Sequence, residues 1–318
     1  MTSDRVLVFG AAGHLGLPVA RWISYHDPAV QLRLATRNNK SRMSLAREFP
    51  DAEIIAADYL DADAMKAALD GVSAVFVVTP DFLDEKQAME NLVAGARAAG
   101  DMRVIVRIQG VLPNVKPSDV PQDMRDLGGP ATQHFVARSI LNDSGLPVVH
   151  LNMVAYLTDD LLRWGNPIRE YDLLSMPYNR RAAWVDPADV GEAAARIILS
   201  HDDRHIGHQY DVDNGHDVLE FDEVARMLSD VLQRRIGYDD SVETWRKLMG
   251  ARYNQLWRGG EEYFLKFYEF EQHREFAART SGTLGWLLQR PPLTLRAWMQ
   301  INAANLAPLP SQSGSSGR

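Results

Sequence analysis

A chain of 318 residues, 46% hydrophobic and 24% charged, has the length for one large α/β domain with a smaller lobe and an ordinary globular composition. Its formal net charge of -8 argues against nucleic acid as a partner, because phosphate backbones need a basic field. The absence of cysteine excludes disulfides, thiolate nucleophiles and cysteine zinc sites, and it fits a cytoplasmic setting.

The chain starts MTSDRVLVFGAAGHLG. Val6 to Phe9 is an unbroken apolar run, as expected of a strand buried on both faces of a parallel sheet. Gly10, Gly13 and Gly16 follow, and Leu17 to Tyr25 reads as an amphipathic helix. Strand, glycine turn and helix together predict a dinucleotide site. The turn lets the backbone reach a pyrophosphate, and the helix N-terminus supplies N–H donors. Ala12, His14 and Leu15 lie in the same loop and are expected to touch the nucleotide.

Strand-like and helix-like segments then alternate. Strands are expected at 31–35, 53–57, 74–78, 103–108 and 148–151, and helices at 40–49, 62–69, 85–99 and 131–144. That rhythm implies a doubly wound parallel sheet with right-handed crossovers. Residues 1–155 form the expected nucleotide-binding domain, and 156–306 a mixed, mostly helical substrate lobe. Within the lobe, 184–215 returns to the sheet style, with a helix at 187–199 and a strand at 209–212.

Residues 156–184 read as mixed and loop-like, 221–235 as an amphipathic helix, and the remainder to about Asn305 as helical. Trp245, Tyr253, Trp257, Tyr263, Phe264, Phe267, Tyr268 and Phe270 are expected mainly in the core, with some facing a substrate cleft. The Ser/Gly/Pro-rich tail 307–318 is expected to be disordered. No apolar run approaches the ~20 residues of a membrane span, and the N-terminus leaves no room for a signal peptide before the first strand.

An acid that holds the ribose of NAD belongs at the end of the second strand. Here that place has Thr36 and Arg37, with Lys40 and Arg42 close behind. A guanidinium can hold a 2′-phosphate with two parallel charge-assisted bonds, so NADP(H) is the expected cofactor.

With these features in order, the chain resembles the NmrA-like family, atypical members of the short-chain dehydrogenase/reductase superfamily. The resemblance rests on GAAGHLG, on Arg37, on Asp58-Tyr59 after the third strand, and on VFVVTP with Thr79 and Pro80. It continues through SGLPVVHLNMVAYL, WVDPADVGEAAARIIL and LLQRPPLTLRAWMQINA, and covers roughly 6–306. It implies a Rossmann sheet with NADP(H) across the carboxyl ends of its strands, Asp58 and Tyr59 near the adenine, and Thr79 and Pro80 beside the cofactor. A homodimer is a fold-level expectation.

Ordinary members of that superfamily use a serine after the fifth strand and Tyr-xxx-Lys on the next helix. Here Gln109 and Gly110 stand about where the serine would, and His134 and Arg138 take the Tyr-xxx-Lys spacing. His134 is the candidate proton donor, Gln109 a candidate donor to a polarised oxygen that also abuts the cofactor, and Arg138 a cofactor tether. Each has a plainer reading: His134 as pocket lining, Gln109 as backbone support, Arg138 as a surface residue. Tyr156, Tyr171, Tyr178 and Trp184 flank the lobe junction and are expected to wall the substrate site.

His201, His205 and His208 in HDDRHIGH read as a polar connection, and no metal is expected. The expected function is an NADPH-dependent reductase that passes hydride to a small conjugated or aromatic acceptor (a quinone, imine, enone or azo compound). The alternatives are an NADP(H)-sensing regulator without turnover, or a non-redox isomerase or cyclase on the same fold.

Overall fold

The apolar runs become strands where they can be buried on both faces. In the computed structural model, which describes residues 4–274 and 279–308, the first is β1 (Arg5–Val8). The loop and α1 (Gly16–His26) follow, then β2 (Gln31–Ala35), α2 (Asn39–Glu48), β3 (Glu53–Ile55) and α3 (Ala62–Leu69). Next come β4 (Ala74–Val77), α4 (Glu85–Ala99), β5 (Val104–Gln109), a short α5 (Gln122–Asp126), α6 (Pro130–Asp143) and β6 (Val148–Met153). Caps fix several starts: Asn38 accepts from Lys40 and Ser41 N–H, and Asp61 from Asp63 and Ala64 N–H.

The segment expected to be loop-like is more regular than its composition suggests. It contains β7 (Tyr156–Leu157), α7 (Asp160–Arg163), α8 (Gly165–Tyr171), β8 (Leu173–Ser175) and β9 (Arg181–Val185). Beyond it lie α9 (Pro187–Leu199), β10 (Gln209–Val212), β11 (Val218–Glu220), α10 (Phe221–Leu232) and β12 (Gly237–Asp239). The strand β12 interrupts a stretch expected to be helical, and β11 lies just before that stretch. Strands of two or three residues are too short to show alternation, and distant partners hold them: β9 lies between β11 and β7, and β8 pairs with β12. Helices Gly260–Arg274, Thr283–Leu288 and Leu295–Ile301 follow.

The main sheet has seven strands in the order β10-β6-β5-β4-β1-β2-β3, all paired in parallel. The order reverses at β1 and β4, and ligands of open α/β sheets bind at such a switch point. Alternate residues feed two cores. Val6, Val8, Leu34, Phe76 and Val106 pack against α1, α9 and Thr283–Leu288; Leu7, Phe9, Val75, Val77 and Ile105 pack against α3, α4 and α6. A third core, with Trp164, Trp184, Phe221, Trp245 and Tyr268, holds the lobe together.

A smaller cluster bridges the two parts. Tyr263, from helix Gly260–Arg274, packs with Val111, Met124 and Phe135, and its hydroxyl accepts from Ala131 N–H at 2.8 Å. It therefore fixes the start of α6 over the end of β5. The tail expected from Ala307 falls, from residue 309 on, outside the described residues.

Candidate functional site

The loop after β1 is closed by contacts that tolerate only glycine. Gly10 has φ +61°, and a Cβ there would meet Val78 Cγ1 at 2.8 Å. A Cβ on Gly16 would lie 2.4 Å from the Gly10 carbonyl oxygen. The helix that follows has no side-chain cap and no acidic residue in its first turn, so its N-terminus is open to an anion. Gly10, Ala12, Gly13, His14, Leu15, Gly16, Thr36, Arg37, Asp58, Tyr59, Thr79 and Pro80 all line one cleft of about 270 Å³. Arg37 stands exposed at its rim, its Nη1 3.4 Å from Asp58 Oδ2, while Tyr59 is buried against Phe9 with ring centroids 4.5 Å apart.

A second cavity, of about 480 Å³, opens from the first and shares His14, Leu15, Val78, Thr79 and Pro80 with it. Its floor is the β5 end, from Ile108 through Gly110 to Pro113, with His134 above and Met153 to Leu157 along one side. Trp257, Phe264 and Phe267 close it from the lobe, with Trp257 and Phe264 ring centroids 5.1 Å apart. Its charged groups are Asp81, Arg107, Asp160, Arg163 and Glu271.

Several of these groups are tied down. Arg107 donates to Glu85 Oε1 at 2.7 Å and to Thr79 Oγ1 at 2.8 Å, and Thr79 in turn donates to Glu85. The buried Arg180 donates to Glu271 and to the Tyr156 hydroxyl, which donates to Glu271. Asp160 pairs with Arg163 at 3.2 Å, and His14 Nδ1 lies 2.8 Å from Asp159 Oδ2. That hydrogen bond raises the His14 pKa, against the opposing effect of its burial.

A family model described as the NmrA-like family matches residues 2–277. The chain belongs to the NmrA-like family. It is 27% identical over 311 residues, 95% of this chain and 99% of the relative, to a (4-alkanoyl-5-oxo-2,5-dihydrofuran-3-yl)methyl phosphate reductase of Streptomyces griseus. It is 28% identical to an NAD(P)H azoreductase of Xenophilus azovorans, over 73% of this chain and 76% of that one. The NADPH complex of a quinone oxidoreductase of Escherichia coli superposes with TM-score 0.76 at 22% identity, covering 95% and 99% of the two chains. NmrA itself, a negative transcriptional regulator, superposes with TM-score 0.69 at 15% identity, covering 94% and 95%.

Within this NmrA-like fold, several sequence expectations for the site need correction. Gln109 is fully buried and points away from the cavity: it donates to Gln209 Oε1 on the edge strand β10 at 3.1 Å. Arg138 donates to the same oxygen at 3.2 Å and faces a different surface pocket, with Asp211 and Arg279. Neither residue reaches the nucleotide cleft or the cavity, because β5 and α6 turn both toward the sheet edge. Trp184 belongs to the lobe core and is fully buried. Tyr171, at the end of α8, is 61% exposed. Tyr178 takes φ +58° and lines a surface pocket with Arg246 and Lys266. Of the four expected wall residues, Tyr156 alone lines the cavity.

His134 does line the cavity, but not as a group that titrates near neutrality. Its Nδ1 accepts from Gly110 N–H at 2.9 Å, which assigns the proton to Nε2. Burial, with the Arg107 charge adding, lowers its pKa from 6.5 to about 3. The ring is neutral and can donate a hydrogen bond, but it has no imidazolium proton to give.

The sequence reading missed Asp81, Asp160, Arg163 and the Arg107–Glu85–Thr79 network. Their only local signal is Asp81 following Thr79-Pro80; the others converge from separate segments. The histidines of HDDRHIGH do not converge: His201 pairs with Asp4 at 3.2 Å and His205 Nδ1 lies 2.9 Å from the Tyr210 hydroxyl. Among the described residues, no helix is long and apolar enough to cross a membrane.

Proposed function

We propose that this protein is an NADPH-dependent reductase whose acceptor, a small conjugated or aromatic compound, binds in the aromatic cavity beside the nucleotide cleft. The observation that carries the reading is the shared wall: His14, Leu15, Val78, Thr79 and Pro80 border both spaces. A nucleotide lying along the first and an acceptor filling the second would meet there. The relatives named as reductases support the same reading.

The glycine loop and the uncapped start of α1 fit a pyrophosphate, because a Cβ at Gly16 would collide with Gly10 and the helix end offers N–H donors. Thr36 and Arg37 would face the ribose phosphate, Asp58 and Tyr59 the adenine end, and Thr79 and Pro80 the nicotinamide end. The bound nucleotide supplies hydride. The chain's own part is to hold the acceptor against that wall and exclude water. His134 would hold a polar atom of the acceptor through Nε2–H.

The test is NADPH oxidation, followed by absorbance, against quinones, azo dyes, enones and imines, with nucleotide binding measured by calorimetry. Turnover of at least one acceptor is expected, weakened by His134→Ala up to about tenfold for one neutral hydrogen bond. Tight NADPH binding with no turnover across the panel would favour an NADP(H)-sensing regulator. That reading has its own support in the absence of the usual Ser-Tyr-Lys set, since Gln109 and Arg138 face away from the cavity.

A further inference from the structure

Among the charged groups of the aromatic cavity, Asp81 differs from the rest. Glu271 is held by Arg180 and Tyr156, Arg107 by Glu85, and Asp160 by Arg163. Asp81 lines the cavity directly after the shared Thr79–Pro80 wall, and its carboxyl has no ion-pair or hydrogen-bond partner among the described residues. The groups facing it are Asp160 and Arg163 from α7, His14 from the glycine loop and Glu85 from α4.

Arg163 is committed to Asp160 and His14 to Asp159, so a second ionised carboxylate beside Asp160 would be uncompensated. Burial raises the Asp81 pKa, with Asp160 and Glu85 adding and with Arg163 and His14 opposing. Burial raises the Asp160 pKa as well, but Arg163 at 3.2 Å opposes it, so of the two neighbouring carboxyls the unpartnered Asp81 is the better placed to carry the proton.

We propose that Asp81 is the proton donor of the reaction, and that the cavity takes an uncharged conjugated carbonyl compound whose oxygen receives that proton. This rests on the reductase reading above. In the step, hydride from the dihydronicotinamide forms a C–H bond at the far carbon of the conjugated system. The C=C pair shifts toward the carbonyl carbon and the carbonyl π pair moves onto oxygen. That oxygen takes the proton as the Asp81 O–H bond breaks, giving an enol, an oxidised nicotinamide and an Asp81 carboxylate that is reprotonated from water. With Asp81 protonated, the remaining charged groups of the cavity pair off as Asp160 with Arg163, Glu271 with Arg180 and Arg107 with Glu85. The cavity then carries no net charge that would call for an ionic acceptor.

Tyr156, His14 and His134 also line this cavity and bear protons, but the Tyr156 hydroxyl donates to Glu271. His134 is neutral, and His14 directs Nδ1 at Asp159.

The experiment compares an enone, which must gain a proton, with an iminium ion, which accepts hydride without one. Wild type, Asp81→Asn, Asp81→Glu and His14→Gln are assayed with both. The protonated carboxyl of the nucleotide-free protein is followed by infrared difference spectroscopy at neutral pH. The proposal expects Asp81→Asn to lose a carboxylic-acid band and to slow the enone about 100-fold or more, the scale of a lost general acid. The iminium rate should be nearly unchanged, and Asp81→Glu should restore part of the enone rate.

Equal effects on both acceptors, or an Asp81→Asn spectrum that has lost no acid band relative to wild type, overturns the proposal and leaves the reductase reading standing. Selective enone loss in His14→Gln instead does the same. A wild-type protein that oxidises NADPH with neither acceptor overturns both. Melting curves of the variants separate a misfolded protein from a chemically impaired one, and the Glu variant keeps the test decisive if Asn does not fold.

Discussion

At the scale of single residues, the site divides into positions where shape is fixed and positions where charge is. Gly16 is of the first kind, since any side chain there meets backbone that cannot swing aside. Arg37 is of the second: it is exposed and only loosely paired with Asp58 at 3.4 Å, so it is free to turn to a phosphate. Arg37→Asp should raise the Michaelis constant for NADPH about 10- to 100-fold, the range of a lost charged hydrogen bond, while leaving that for NADH the same or lower. Steady-state kinetics with the two nucleotides check this, and equal effects on both would remove Arg37 from nucleotide selection. His134 teaches a different lesson. Its residue type suggests an acid near neutrality, but its surroundings decide otherwise.

At the scale of elements, the nucleotide loop depends on a helix far away in sequence. A Cβ on Gly191 of α9 would fall 2.6 Å from Pro18 Cβ and 3.2 Å from the Leu15 carbonyl oxygen, so α9 sits hard against the start of α1. Gly191→Ala should push α1 outward. We expect about 1–3 kcal/mol of lost stability in urea unfolding, together with weaker nucleotide binding by calorimetry, although residue 191 does not line the cleft.

Trp184 on β9 makes the converse case. Its indole is packed between Tyr156 and Phe221, with centroids 5.8 and 6.1 Å away. Trp184→Ala should cost about 3–5 kcal/mol in the same unfolding measurement. A change in acceptor Michaelis constant without that loss of stability would return Trp184 to the cavity wall.

At the scale of the whole molecule, buried histidines set a limit in acid. Burial, with Arg107 adding, lowers the pKa of His134 from 6.5 to about 3 and that of His150 to about 4; Arg138 also contributes at His150. Both are neutral when folded and free to protonate when unfolded, so their contribution to stability is present above pH 6.5 and is lost as pH falls. Each costs about 1.4 kcal/mol per pH unit below that point, until its folded-state value is reached. Urea midpoints should therefore drop between pH 7 and pH 4, and His150→Gln should flatten that drop.

The sheet was legible from sequence because its strands are continuous apolar runs separated by helices with clear periodicity. The glycine loop was legible because its elements adjoin in the chain. The acceptor cavity was less so. Trp257, Phe264 and Phe267 were recognisable as aromatic, but which rings of the series face inward depends on how the lobe docks, and no local pattern records that. Gln109 and Arg138 stood at recognisable spacings, yet their side chains lean across β6 to Gln209, a partner distant in the chain.

The shared wall joins two kinds of construction. On the nucleotide side the surface is main chain, and the tolerances are those of atoms that cannot be exchanged without breaking the turn. Across the cavity from that wall stand rings of the lobe, such as Trp257 just after a helix and Phe264, which pack on one another. Exchanging ring for ring there would retune which molecule is accepted while leaving the half that grips the nucleotide unchanged.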